Sequence, residues 1–217
     1  MSMKGDGVTM TDKEIFYDIE KHLLNDSKPS VYLSECLKKG AFDKYPFSMI
    51  KDLQTVDQNP KFHPEGNVFI HTMMVVDEGA KVRDKSHDKR ALMWGLLLHD
   101  LGKKPTTKWR KGRLTSYDHD KVGFTMAHEF LEYFDENEEF IDKVSSLVRW
   151  HMQSLFVTKS LQFQDIEGML KDVDPDEIVL VATADRLGRG NLNKNDVQQT
   201  MKDIDKFREV IQDKIKK

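Results

Sequence analysis

One cysteine, Cys36, leaves no partner for an intrachain disulfide and no thiolate set for a structural zinc site. The expectation is a reducing compartment, hence a cytoplasmic location. Long apolar runs are also missing. None approaches the about 18 residues that cross a bilayer, so neither a membrane span nor a membrane partner is expected. Neither sign of charge dominates: 34 Lys and Arg stand against 37 Asp and Glu, a formal charge of −3. That balance excludes a strongly basic nucleic-acid platform and leaves nucleotide or RNA to a local site, helped by a metal ion. Period-2 alternation is scarce, and there is no fixed-period repeat or low-complexity tract, so no β-hairpin strong enough to found a sheet is expected.

What is present is helical periodicity. A chain of 217 residues suits one substantial domain. Residues 1–10, "MSMKGDGVTM", carry no periodicity and read as a flexible leader. From Thr11, a plausible N-cap, Ile15, Phe16, Ile19 and Leu23 share a stripe. A short helix near Val31–Lys38 closes at Gly40, and residues 41–66 read as irregular or short elements. Asn67 caps "NVFIHTMMVVDEGAKV", and "KRALMWGLLLHD" is a second nearly apolar helix ended by Gly102 and Pro105. These two should form the centre of the core. "KKPTTKWRKGRLTSYDH" reads as a basic loop with a short extended piece near Leu114. Further helices carry Val122, Met126, Phe130 and Phe134, then Phe140, Val144, Leu147 and Val148. "FQDIEGMLKDV" is another short candidate. Asp174 and Pro175 open the next helix, and the last, from Asp196, presents Val197, Met201, Ile204 and Phe207 or Arg208. The fold class is all-α, a single-domain helical bundle over residues 11–217.

The chemistry-bearing residues interrupt the apolar faces of these helices. Of eight histidines, His22 and His87 read as structural or solvated, and His128 as structural. His71 shares its helix face with Val68, Met74 and Val75; a buried imidazole there needs an acceptor or a metal. His99 and Asp100 end "WGLLLHD", where the competing explanation is that Asp100 accepts loop amides and His99 packs. Asp185 follows "IVLVATA"; its alternative is pairing with Arg186 or Arg189. Taken together, His71, His99, Asp100 and Asp185 make a two-nitrogen, two-oxygen set suited to Mn, Fe, Zn, Co or Ni. His119 in "YDHD" and His151 in "RWHM" would complete a second ion with Asp100 bridging, against helix-start capping and aromatic packing as alternatives. In the basic loop, Lys103 is placed to neutralise a phosphate oxygen, and Arg186 has the same claim beside Asp185. The loop's other cations read as a solvated face.

The ordered set His71, His99–Asp100 and Asp185 resembles the HD superfamily of metal-dependent phosphohydrolases. "FHPEGNVFIHTMMVVD", "LLLHDLGKKPTT", "YDHDKVG", "LVRWHM" and "ADRLGRG" are similar, in order, to the HD domain of bacterial tRNA nucleotidyltransferases (CCA-adding) and poly(A) polymerase-like proteins. The resemblance runs from Phe62 to Gly190. It implies an all-helical HD-domain bundle with His71, His99, Asp100 and Asp185 as primary metal ligands. His119 and His151 match the extra histidines of two-metal members, and His63 and Glu65 shape the rim. The usual "YGHE" is "YDHD" here, with Asp118 for glycine and Asp120 for glutamate. The Gly-Ser and paired-Asp strand motif of a nucleotidyltransferase head is absent from the first 60 residues, so nucleotide addition is not inherited.

The leading expectation is a stand-alone metal-dependent phosphohydrolase with one or two divalent ions (Mn, Fe, Ni, Co, Zn or Mg). Its substrate is a phosphomonoester or phosphodiester of a nucleotide, cyclic nucleotide or RNA end, and Asp100, Lys103 and Arg186 are the catalytic candidates. The second is a nucleotide- or RNA-binding module with a structural or vestigial metal site, and the third a metal-free helical adaptor.

Overall fold

Most of the longer helices begin on a side chain that accepts its own first-turn amide hydrogens. Thr11 and Asn193 do so in capping boxes, and Asn67, Asp88, Asn137 and Asp174 by single caps. The computed structural model describes residues 4, 5, 8–61 and 63–216. Of the expected leader, residues 1–3, 6 and 7 lie outside the described residues, as do Phe62, where the resemblance starts, and Lys217.

Strands β1 (Lys4–Gly5) and β2 (Val8–Thr9) pair antiparallel ahead of helix α1 (Asp12–Asn25). Then follow α2 (Pro29–Lys38), α3 (Ser48–Asp52), α4 (Val68–Val82), α5 (Lys89–Leu98) and α6 (Lys103–Thr106). A hairpin of β3 (Lys108–Arg110) and β4 (Arg113–Thr115) leads into α7 (His119–Glu132) and α8 (Glu138–Trp150). The chain ends through α9 (Gln153–Thr158), α10 (Ile166–Asp172), α11 (Pro175–Leu187) and α12 (Lys194–Ile215). One buried core joins them. Trp94 of α5 stacks on Phe16 of α1 at 4.4 Å between ring centroids, and Phe134 stacks on the same Phe16 at 4.3 Å. Such offset aromatic packing adds about 0.5–1.5 kcal/mol per pair beyond area burial.

Four expectations need correction. The segment after Asp100 is a short helix rather than a loop: Pro105 is accommodated in the first turn of α6, where amide hydrogens have no intrahelical acceptor. Residues 108–115 form a two-stranded hairpin whose turn, Lys111–Gly112, has φ of 48° and 71° at its two residues. In α7 the fully buried stripe is Gly123, Ala127, Phe130 and Leu131, with Val122 and Met126 only half-buried. In α12 it is Thr200, Ile204, Phe207 and Ile211, leaving Val197 and Met201 exposed. In both helices a small residue faces the neighbour, so the contact line is displaced from where the largest apolar side chains put it. Helix α9 carried no sequence expectation of its own.

The bundle's topology decides what meets in its centre. Helix α4 packs on α5 and α11, α5 on α8, and α7 on α8. Five positions thereby converge: the first turn of α4, the end of α5, the start of α7, the end of α8 and the last turns of α11.

Candidate metal centre

Each of those positions delivers a chemistry-bearing residue. His71 comes from α4, His99 and Asp100 from the end of α5, His119 from the first residue of α7, His151 from just past α8, and Asp185 from α11. All six are buried, at 8% exposure or less.

The backbone orients the four imidazoles alike. Each points Nδ1 at a carbonyl oxygen: His71 at Gly188 (3.1 Å), His99 at Leu96 (2.8 Å), His119 at Ser116 (2.7 Å) and His151 at Val148 (2.6 Å). A carbonyl only accepts, so each Nδ1 carries the proton and, in the neutral ring, each Nε2 presents a lone pair to the centre. His71 Nδ1 also lies 3.1 Å from Glu65 Oε1, a second acceptor.

These lone pairs meet oxygens and one another rather than donors. His71 Nε2 is 3.1 Å from Asp185 Oδ1, and His99 Nε2 is 3.2 Å from Asp100 Oδ2. His119 Nε2 and His151 Nε2 are 3.2 Å apart. Asp100 stands between the two groups: Oδ2 faces His99 and His71 (3.9 Å), while Oδ1 faces His119 (3.5 Å) and His151 (3.8 Å). Two constellations of ligand-capable atoms result, His71–His99–Asp185 and Asp100–His119–His151. His99 Nε2 and both Asp100 oxygens have no hydrogen-bond partner among the described residues. Buried acceptors without donors are costly, and a divalent cation relieves that cost for nitrogen and oxygen alike. The donor set fits such an ion.

The electrostatics follow from the same contacts. Burial alone would raise the Asp100 carboxyl, but His99, Lys103 and His119 outweigh it and hold it well below the usual carboxylate range. Asp185 is held down in the same way, burial being overcome by His71 and His99. Burial lowers His119, and it lowers His151 to about 4 with help from the neighbouring histidines. His71 goes the other way: burial opposes its charged form, yet hydrogen bonds to Asp185 and Glu65 raise its pKa.

A cavity of about 510 Å³ opens over the second constellation, with Asp100, Lys103, His119, His151 and Asp185 in its lining and Leu114, Met152 and Leu155 among its walls. Lys103 Nζ reaches both Asp100 Oδ2 (2.8 Å, off the hydrogen-bond direction) and Gln58 Oε1 (2.9 Å). Arg186, expected beside a substrate, does not line this cavity: its Nη2 is 3.1 Å from Asp203 of α12. Successive helical residues point about 100° apart, so Asp185 and Arg186 diverge. Arg189 lines the cavity instead, one turn beyond Asp185.

Glu65, named from the "HPEG" loop, is a junction: Oε1 lies 2.9 Å from His63 Nδ1, and Oε2 accepts from the Gly190 amide at 3.0 Å. Gln58 was not anticipated; it lies in an irregular segment whose only sequence signal was its neighbouring turns. The other histidines lie apart. His22 stacks on Tyr32 with Nδ1 2.7 Å from Asp26, His87 is exposed near Asp174, and His128 is half-buried beside Glu132 and Glu138.

An all-helical bundle with histidines and aspartates gathered in this order defines a class of metal-dependent phosphohydrolases. The chain belongs to the HD-domain family, whose model matches residues 68–190, more than half of the sequence. It is similar to proteins named multifunctional CCA protein: 27% identical over 193 residues to that of Mannheimia succiniciproducens, covering 86% of this chain and 45% of the relative. For those of Pasteurella multocida and Haemophilus influenzae the identities are 26% and 25% over 207 residues, covering 92% of this chain and 48% and 49% of theirs. The chain thus spans about half the length of these relatives. No described helix is long and apolar enough to cross a membrane.

Proposed function

We propose that this chain hydrolyses a phosphomonoester or phosphodiester of a nucleotide, cyclic nucleotide or RNA end. His71, His99 and Asp185 would hold one divalent ion and Asp100, His119 and His151 a second, with Asp100 facing both groups. The observation that carries this reading is the pair of His119 and His151 Nε2 atoms 3.2 Å apart, both Nδ1 atoms facing carbonyls. Two lone pairs face each other beside a carboxylate, an arrangement that calls for a cation. The relatives' name, multifunctional CCA protein, supports a substrate related to RNA.

Divalent ions held there supply Lewis acidity and a water made nucleophilic at neutral pH. The chain's own groups do the rest. Lys103, in the cavity lining and 2.8 Å from Asp100, lies where its ammonium meets a phosphoryl oxygen as charge builds on it. Arg189 supplies a second cation from the same lining. Arg186 acts through its pair with Asp203, which ties α11 to α12 and so orients Asp185. The working unit is residues 11–217, with 1–10 as a leader.

The test is metal content, followed by hydrolysis of p-nitrophenyl phosphate, bis-p-nitrophenyl phosphate and 2′,3′-cyclic nucleotides with Mn, Fe, Co, Ni, Zn and Mg. Bound metal and turnover of at least one ester are expected; neither metal nor turnover in any condition sinks the reading. His119→Ala and His151→Ala should each lower the stoichiometry from two ions to one. Unchanged stoichiometry and rate in both variants would reduce the site to one ion.

Acid should separate the constellations, because protons compete with metal at each Nε2. His151, lowered to about 4, stays unprotonated well below the reference histidine pKa of about 6.5, and burial shifts His119 in the same direction. His71 is raised, so it takes a proton at higher pH. On acidification the ion at His71–His99–Asp185 should therefore leave first, giving two steps in metal content after equilibrium dialysis. In the metal-free chain the same shifts act on stability with opposite signs. Lowered His151 makes stability fall as pH drops from about 6.5 towards about 4, and lowered His119 adds to the fall with the same sign. Raised His71 adds stability that is full below about 6.5 and lost as pH rises through its folded pKa. Loss of both ions in one step would contradict the ordering.

A further inference from the structure

The β3–β4 hairpin is built unlike the rest of the surface. Its register pairs Trp109 with Leu114, and Arg110 with Arg113. Directly paired residues share a face and successive residues alternate, so Trp109 and Leu114 occupy one face and Lys108, Arg110, Arg113 and Thr115 the other. Leu114 lines the catalytic cavity, and Trp109 is its cross-strand neighbour on the same face of the hairpin. Yet Trp109 is 75% exposed, the most exposed large apolar side chain among the described residues.

The opposite face is cationic. From Leu101 to Tyr117 the chain has six cations, Lys103, Lys104, Lys108, Arg110, Lys111 and Arg113, and no acid, although the whole protein is net negative. Lys108, Lys111 and Arg113 form no ion pair among the described residues. Arg110, Lys111, Arg113 and Thr115 line a second concavity. Tyr117, 59% exposed, lines both this concavity and the catalytic one, so the two are neighbours on the surface. Arg110 lies over the Tyr117 ring, 5.1 Å from its centroid. Neither the hairpin's folding nor the metal centre requires an exposed indole or an unneutralised basic rim.

We propose that this hairpin is a single-strand-binding element: a nucleobase near the substrate's reactive end stacks on Trp109, and the preceding phosphates lie along Arg110, Lys111 and Arg113. Aromatic faces accept any base by stacking, and cations along the backbone supply affinity without sequence preference. A paired duplex keeps its bases stacked on each other and cannot offer one to Trp109. The occupant is therefore a single-stranded oligonucleotide end rather than a free mononucleotide, an inference that rests on the phosphohydrolase reading and narrows its substrate class.

The test reads binding and chemistry separately. The protein as purified, with its metal, is titrated by fluorescence anisotropy against a short 5′-labelled single-stranded RNA ending in a 3′-hydroxyl, and against the same sequence as a duplex. The single strand should bind more tightly. Trp109→Ala should weaken it about tenfold, and Trp109→Phe, which keeps a stacking face, should restore most of the loss. Arg110→Ala with Arg113→Ala should make the salt dependence shallower by about 1.4 in log–log slope. Equal binding by wild type and Trp109→Ala, a preference for duplex, or Trp109-dependent self-association without RNA binding would each overturn the hairpin proposal. Ester hydrolysis by wild type, measured in parallel, distinguishes the failures. Turnover without strand binding overturns the hairpin alone, and Trp109-dependent strand binding without turnover upholds the hairpin while the phosphohydrolase reading falls.

Discussion

Asp100→Ala should release both ions and lower ester hydrolysis by about three orders of magnitude or more, about 4 kcal/mol of barrier. Among the described residues it is the carboxylate that faces both constellations: its Oδ2 is 3.2 Å from His99 Nε2, and its Oδ1 is 3.5 Å from His119 Nε2. Removing it takes an oxygen from each ion and the counter-charge from Lys103 at once. His151→Ala or Asp185→Ala touches one constellation only and should leave one ion bound. Asp100→Asn keeps the shape but supplies amide hydrogens where cations belong, so it should behave like Asp100→Ala in metal content while melting as wild type does without metal. Metal analysis and steady-state rates on the same preparations decide it. Two retained ions with near-normal turnover in Asp100→Ala would remove Asp100 from the centre of the proposed chemistry.

The reason one residue carries so much is local. Helix α5 ends at Leu98, and His99 keeps helical dihedrals as its cap. The Leu101 amide donates to Leu98 and the Lys103 amide to Asp100, so the chain continues through a tight turn into α6. Within five residues it presents an imidazole, a shared carboxylate and an ammonium to one centre. Because α5 is buried from Ala91 to Leu98, all but its first two residues, that end is held rigidly rather than frayed.

Much of this was legible in the sequence because polar groups interrupt apolar stripes only where something compensates them. His71, His99, Asp100 and Asp185 stand out for that reason, and the helix starts at Thr11, Asn67 and Asp174 announce themselves by capping chemistry. Arg186 follows Asp185 in the chain but points to Asp203, because successive helical residues diverge, whereas Arg189, a full turn away, returns to the cavity. Gln58 and the junction at Glu65 depend on which loop lies over which helix, and no local periodicity encodes that. The hairpin escaped notice because "KWRKGRLT" is dominated by charge, and its alternation, with Trp109 opposite Leu114, emerges only once the turn sets the register. The α7 stripe was misplaced for a packing reason: Gly123 and Ala127 face the neighbouring helices because only small residues fit there.

The same closeness makes Gly102→Ala the most damaging small substitution expected in the chain. Gly102 has ordinary helical dihedrals, φ −63° and ψ −13°, so backbone freedom is not why glycine occupies the position. A Cβ there would lie 2.0 Å from the His119 carbonyl oxygen and 2.6 Å from the Gly123 amide nitrogen, both backbone atoms that no rotamer change can move. Alanine must therefore push the start of α7 away from the α5–α6 turn, costing about 3 kcal/mol, at the upper end for overpacking. In a chain of this length that corresponds to a fall in Tm of about 6–12 °C. The displacement falls on His119, whose Nε2 is the near neighbour of both His151 and Asp100. The ion on that side should be lost while the one at His71–His99–Asp185 stays. Thermal unfolding with and without added metal, read beside metal content, checks both effects. A Tm within about 2 °C of wild type, with both ions retained, would show that the α5–α6 turn and α7 are free to separate and that their contact does not position His119.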